Sequence, residues 1–110
     1  MPKFITYFTY TGAAAKALIA QPSDRTAAAR ALVESVGGQL DSFYWMSGHH
    51  DGFFIATLAD AVTASALAAA AVASGALLDV ETHQIFSSDE QAAIMTKAGA
   101  ALAAYRPPTA

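Results

Sequence analysis

Residues 39–58, QLDSFYWMSGHHDGFFIATL, hold two runs of aromatic and β-branched residues separated by the polar link Ser47-Gly48-His49-His50-Asp51-Gly52. Such side chains suit the pleated surface of a strand. The pattern predicts strands over 39–46 and 53–58, and a link this short makes them an antiparallel hairpin. The rest of the chain can be ordered around that hairpin.

On its N-terminal side, residues 3–11 are again aromatic and β-branched, reading as a first strand that ends at Gly12. A helix is expected over 23–36. Ser23 or Asp24 caps its first amides, Ala28, Leu32 and Val36 share a stripe, and Gly37-Gly38 stops it. Residues 13–20 carry a short helical pattern, separated from the next by Pro22. Beyond the hairpin, Asp60 caps a helix through about residue 74, closed by Gly75, and 77–86 reads as a fourth strand. Ser87-Ser88-Asp89-Glu90 has the capping-box spacing, so a last helix begins there and runs to about Tyr105, before Pro107-Pro108.

The order β-α-β-β-α-β-α is the split, ferredoxin-like arrangement of an α+β fold. It predicts a four-stranded antiparallel sheet with helices on one face and an extra C-terminal helix. In residues 4–10, 43–46 and 53–58 both parities carry aromatic or aliphatic side chains, whereas a sheet with one wet face alternates polar and apolar. The expected remedy is a second copy laid sheet against sheet, enclosing a cavity.

Composition narrows the function classes. A chain of 110 residues is expected to be one domain over 1–110. Six Lys and Arg against nine Asp and Glu give a net charge of -3, and the basic residues are scattered, so no nucleic-acid partner is expected. With no Cys there are no disulfides, thiolate sites or Cys nucleophile. The long apolar run, 59–76, is mostly alanine broken by Asp60, Thr63, Ser65 and Ser74, too weak for a membrane span. The start MPKFITYFTY lacks the continuous apolar stretch of a secretory leader. A cytoplasmic protein without a membrane partner is the expectation.

The segment LVESVGGQLDSFYWMSGHHDGFFIATLAD, residues 32–60, resembles the GYD domain family through Gly37, Gly38, Leu40, Ser42, Phe43, Tyr44, Trp45, Gly48 and Asp51. The opening MPKFITYFTYT is also similar, and the likeness extends over roughly residues 1–95. It departs from the family at the signature itself, where His50 stands in place of the tyrosine. The resemblance implies a dimeric α/β barrel, a group of small monooxygenases, isomerases and haem-degrading enzymes beside many proteins without an assigned reaction. Fold likeness does not carry the chemistry across.

For the hairpin link, a solvated polar turn competes with an acid/base site. The catalytic reading takes His50 as general acid or base with Asp51 or Tyr44 as orienting partner. The structural reading makes Asp51 a turn residue bonded to nearby backbone amides. A metal site would draw on His50, Asp51, His83 and Glu81, but neighbours such as His49 and His50 point apart on extended backbone, and strands two and four are the edges of a ferredoxin-like sheet. No metal ion or cofactor is therefore assigned; metal or haem binding through His50 or His83 is a minor alternative. The leading expectation is a homodimer that binds, or acts without a cofactor on, an apolar or aromatic ligand in a cavity edged by Tyr44, His50 and Thr6. The alternative is a structural or assembly protein with no catalytic site.

Overall fold

The computed structural model describes residues 1–109, so the final residue of the domain expected over 1–110 lies outside the described part. The elements are β1 (Lys3–Tyr10), α1 (Gly12–Ala20), α2 (Arg25–Glu34), β2 (Gln39–Trp45), β3 (Gly52–Thr57), α3 (Ala61–Ala73), β4 (Leu77–Ile85) and α4 (Ser88–Ala104). Their ends follow local chemistry. Asp24 and Asp60 accept amide hydrogens from Thr26 and Thr63 at the starts of α2 and α3. Ser87 and Glu90 form the reciprocal capping box of α4. Gly37 and Gly75, at φ 77° and 83°, take the left-handed conformation just past α2 and α3.

All strand pairings are antiparallel, in the order β2-β3-β1-β4. This is the expected ferredoxin-like topology, with β2 and β4 at the edges. The expected α/β barrel is not present: the four strands form one open sheet. A closed barrel with a filled interior takes about eight strands, and four leave the edges far apart.

The pleat of β1 sorts the interior. Phe4, Thr6 and Phe8 are buried beneath the helices, with Ala56 and Leu58 from the β3 side, Val33 from α2, and Ala64 and Leu67 from α3. The alternate residues Ile5, Tyr7 and Thr9, with Phe53 and Ile55 of β3, form the other face and are half-buried. α2 packs over β2 and α3 over β4. α4 buries none of its residues. The radius of gyration is accordingly 17.7 Å, against about 13 Å for a compact chain of this length. Among the described residues no helix is long and apolar enough to cross a membrane.

Two bulges change the parity of the edge strands. In β2, Leu40 pairs with Ala56 and Ser42 with Ile55, so Asp41 is the extra residue. Its carboxylate accepts from Lys3 Nζ at 2.9 Å and Thr57 Oγ1 at 2.7 Å, tying three strands at one end of the sheet. In β4, Thr9 pairs with Asp79 and Tyr10 with Leu77, so Leu78 is extra and is 71% exposed.

Gly52 has a different role from Gly48. Gly48, at φ 111°, relieves the backbone of the turn. Gly52 is buried in the ladder opposite Phe8 and Trp45, and a Cβ there would lie 2.6 Å from both Phe8 Cζ and the Tyr44 carbonyl oxygen. Glycine is needed for close approach. Gly52→Ala should therefore lower stability by about 1–3 kcal/mol, the usual cost of overpacking, read as an earlier urea midpoint at unchanged slope. An unaltered midpoint would show that the strands have room there.

Two carboxylates make the fold acid-sensitive. Burial pushes the Asp41 carboxyl up, but hydrogen bonds from Lys3 and Thr57 and the Lys3 charge outweigh it and hold the group below the ordinary aspartate value. The Thr63 amide and hydroxyl lower Asp60 likewise. A depressed folded-state pKa contributes stability above the unfolded value, near 4, which is lost as pH falls through the folded one. The melting temperature should thus drop on acidification below about pH 4, and Asp41→Asn should shrink that drop; an identical acid limb in the variant would remove Asp41 from the account.

Candidate functional site

The link between β2 and β3 folds back across the end of β1 instead of projecting into solvent. Met46 N–H donates to the Asp51 carbonyl at 2.9 Å, closing the loop, and Asp51 N–H donates to the Phe8 carbonyl at 2.8 Å. The Asp51 carboxylate accepts from Tyr10 N–H at 2.8 Å. Asp51 is thus the turn residue of the structural reading, and it moors the hairpin tip to the central strand.

His50 lies over the open face of the sheet. Its Nδ1 is 3.1 Å from Thr9 Oγ1, and its ring centroid is 5.5 Å from that of Tyr7. Thr9, not Asp51 or Tyr44, is its hydrogen-bond partner. Tyr44 packs tilted against Phe53, with ring centroids 5.6 Å apart, and Phe53 against Tyr7 at 6.0 Å, so two rings stand between Tyr44 and His50. The three residues expected to act together do not converge on one point: Tyr44 and His50 lie on the open face, while Asp51 lies beside Tyr10 and Trp45.

The sheet separates them from the cavity. Thr6, expected beside Tyr44 and His50, faces the helices and shares a 3.1 Å hydrogen bond with Thr82. On that face lies a partly open cavity of about 220 Å³. Its sheet wall includes Thr6, Phe8, Tyr10, Phe43 and Phe54 with Leu77 and Val80 of β4, and its helix wall is mostly alanine from α2 and α3, with Leu32 and Leu67. The aromatic wall is continuous. Phe8 touches Phe43 at 5.5 Å, Phe43 stacks on Phe54, and Trp45 packs over Tyr10 at 5.7 Å. Arg25, at the first turn of α2, is the one charged residue lining the space.

His83 and Glu81 form their own exposed pair at 3.2 Å. His83 is paired with Ile5, four residues along β1 from Thr9. At a rise of about 3.3 Å per residue that is roughly 13 Å from the turn. The ligand set read from the sequence, His50 with Asp51, His83 and Glu81, is therefore not assembled. Asp79, which the sequence reading passed over, comes to the turn instead: one ligand atom each from His49, His50 and Asp79 lies within 4.8 Å of the others. The signal for it was a register, Thr9 opposite Asp79, that no local pattern displays. Arg25 and the cavity-facing alanines were missed because they read simply as helix formers.

A family model described as GYD domain matches residues 4–95. No curated protein and no solved structure matches the chain.

The mooring by Asp51 can be read at one amide. A hydrogen bond to a charged group is worth about 1.5–3 kcal/mol, so Asp51→Ala should speed exchange of the Tyr10 amide by roughly tenfold or more while the β1–β4 amides stay protected. Asp51→Asn, which keeps an oxygen acceptor, should restore part of the protection. Unchanged exchange at Tyr10 in the alanine variant would mean that the turn is held by other contacts.

Proposed function

Given that the chain belongs to the GYD domain family, we propose that it is a small-molecule-binding protein whose site is the cavity between the sheet and helices α2 and α3. The observation that carries this reading is the mismatch between the two walls. Large or β-branched side chains on the sheet face six alanines on the helices, with only Leu32 and Leu67 as larger apolar residues there, leaving about 220 Å³ unfilled. Interiors are normally packed without such gaps. An apolar cavity of about 150 Å³ is enough to take up benzene, so the space suits a ligand of one or two rings.

The polar groups suggest how such a ligand is oriented. Most of the lining is apolar, and Thr6, Ser74 and Arg25 supply a few polar handles, the usual composition of a small-molecule site. Among the described residues Arg25 makes no ion pair. A guanidinium beside an apolar chamber favours a ligand with an acidic group, since its fork matches a carboxylate. The ligand class is therefore an aromatic or alicyclic carboxylate.

The same proposal includes a homodimer. The open face carries Ile5, Tyr7, Phe53 and Ile55 half-buried and Tyr44 59% exposed. An apolar sheet face of this kind is covered by another layer in most folds, and a second copy is the available layer. Light scattering on dilute protein tests it directly: about twice the 11.3 kDa of one chain is expected, and a monomer at micromolar concentration would remove the dimer from the proposal.

Naphthalene-1-carboxylate is a suitable probe for the cavity, and the single Trp45 is a built-in reporter because its ring touches Phe8, Tyr10 and Phe43 of the wall. Titration should shift the Trp45 indole N–H resonance saturably. Ala68→Phe, which fills the space, should weaken binding at least tenfold. Arg25→Ala should weaken the carboxylate and leave naphthalene itself unaffected. Absence of a saturable shift at millimolar probe, or an unchanged affinity in Ala68→Phe, would sink the cavity as the site.

A further inference from the structure

We propose that His49, His50 and Asp79 form a binding site for a divalent first-row transition-metal ion of the zinc type, on the opposite side of the sheet from the cavity. Three features of the turn support this site, independently of the ligand-binding cavity.

First, the donors converge although the chain places them badly. Neighbouring residues point to opposite sides on extended backbone, but the turn, with Gly48 at φ 111°, lies outside the strands and brings the two imidazoles to a centroid separation of 4.7 Å. Asp79 arrives from β4 through the bulge at Leu78. In a regular strand without the bulge, Asp79, two residues on, would share the face of Leu77, which lines the cavity.

Second, the spacing is close to what an ion requires. Zinc binds imidazole nitrogen and carboxylate oxygen at about 2.0–2.2 Å, so donors at the corners of a tetrahedron lie roughly 3.3 Å apart. The present atoms are within 4.8 Å of one another. His49 and Asp79 are exposed and His50 half-exposed, so small side-chain rotations close the difference. Two nitrogens and one carboxylate oxygen leave coordination positions to water, the donor set of open zinc and non-haem iron sites rather than of calcium or magnesium sites.

Third, the supporting shell is present. Thr9 Oγ1 lies 3.1 Å from His50 Nδ1 and 3.4 Å from the His49 carbonyl oxygen, so one residue, itself paired with Asp79, touches both histidines. Outer contacts of this kind set ring orientation in metal sites. The neighbouring carboxylate of Asp51 is committed to the Tyr10 amide; that of Asp79 has no hydrogen-bond partner among the described residues. The backbone carrying the histidines is anchored at Asp51 and cannot swing freely.

The test uses the whole chain without a histidine tag, titrated with Zn²⁺ and, for a spectroscopic signature, Co²⁺. One equivalent per chain is expected by calorimetry, with no heat from Mg²⁺ or Ca²⁺. His49→Ala, His50→Ala and Asp79→Asn should each weaken Zn²⁺ at least tenfold, while His83→Ala, the remaining histidine, should bind as the parent does. Paramagnetic Co²⁺ added to the unmodified protein should broaden amide signals around residues 49–51 and 78–80, which keeps the test independent of how the variants fold. No saturable Zn²⁺ binding at millimolar concentration overturns the site. So does parental affinity in Asp79→Asn, or broadening centred on His83.

Discussion

The alternation of side chains along β1 is the constraint on which the rest of the molecule depends. β1 is central, paired on both sides, so its two faces become the two faces of the protein. Phe4, Thr6 and Phe8 commit one side to the helices and the core. Ile5, Tyr7 and Thr9 commit the other to an aromatic and hydroxyl-bearing surface. A slip of one residue would exchange the two sets. It would bury Tyr7 under α2 and α3 and turn the large rings of Phe4 and Phe8 outward.

The helices meet the core side with small residues. Alanine is the best helix former because it loses no side-chain entropy and buries no polar group, and α3 is built largely of it. The same choice supplies little volume. Val33, Ala64 and Leu67 close the core near Phe4 and Leu58, while at the other end of the sheet, over Phe8 and Tyr10, the alanines leave the cavity open. Helix formation and interior packing therefore pull in opposite directions here. The chain forms its helices from propensity and leaves a gap that no side chain fills.

Much of the fold was legible because its signals are local. The caps at Asp24, Asp60 and Ser87, the stops at Gly37 and Gly75, and the short link between β2 and β3 each act within a few residues, and the strand order follows from the sequence of elements. The expectation of a barrel was wrong. It came from a family resemblance and a two-sided apolar pattern, and neither closes a sheet of four strands. The faces were illegible for a related reason: with apolar residues at both parities, Tyr44 and Thr6 look equally ready to line one cavity, and only the pairing of β1 with β3 separates them. Asp79 was hidden twice over, by a register spanning about seventy residues and by a bulge that reverses the parity one would count from Leu77.

The two sides of the sheet are chemically separate but mechanically joined at Tyr10. Its ring forms part of the cavity wall and packs against Trp45. Its amide is the group that the Asp51 carboxylate holds, and the preceding residue, Thr9, carries the hydroxyl that contacts His50. The Tyr10 ring and the hairpin tip are thus tied to one stretch of backbone, paired to β4 in the register that also positions Asp79. Coupling between sites needs a shared element that both bias. The end of β1 is the one element that the cavity wall and the turn share, which makes the Asp51 mooring more than a turn device: it holds the cavity wall and the two histidines to the same short piece of backbone.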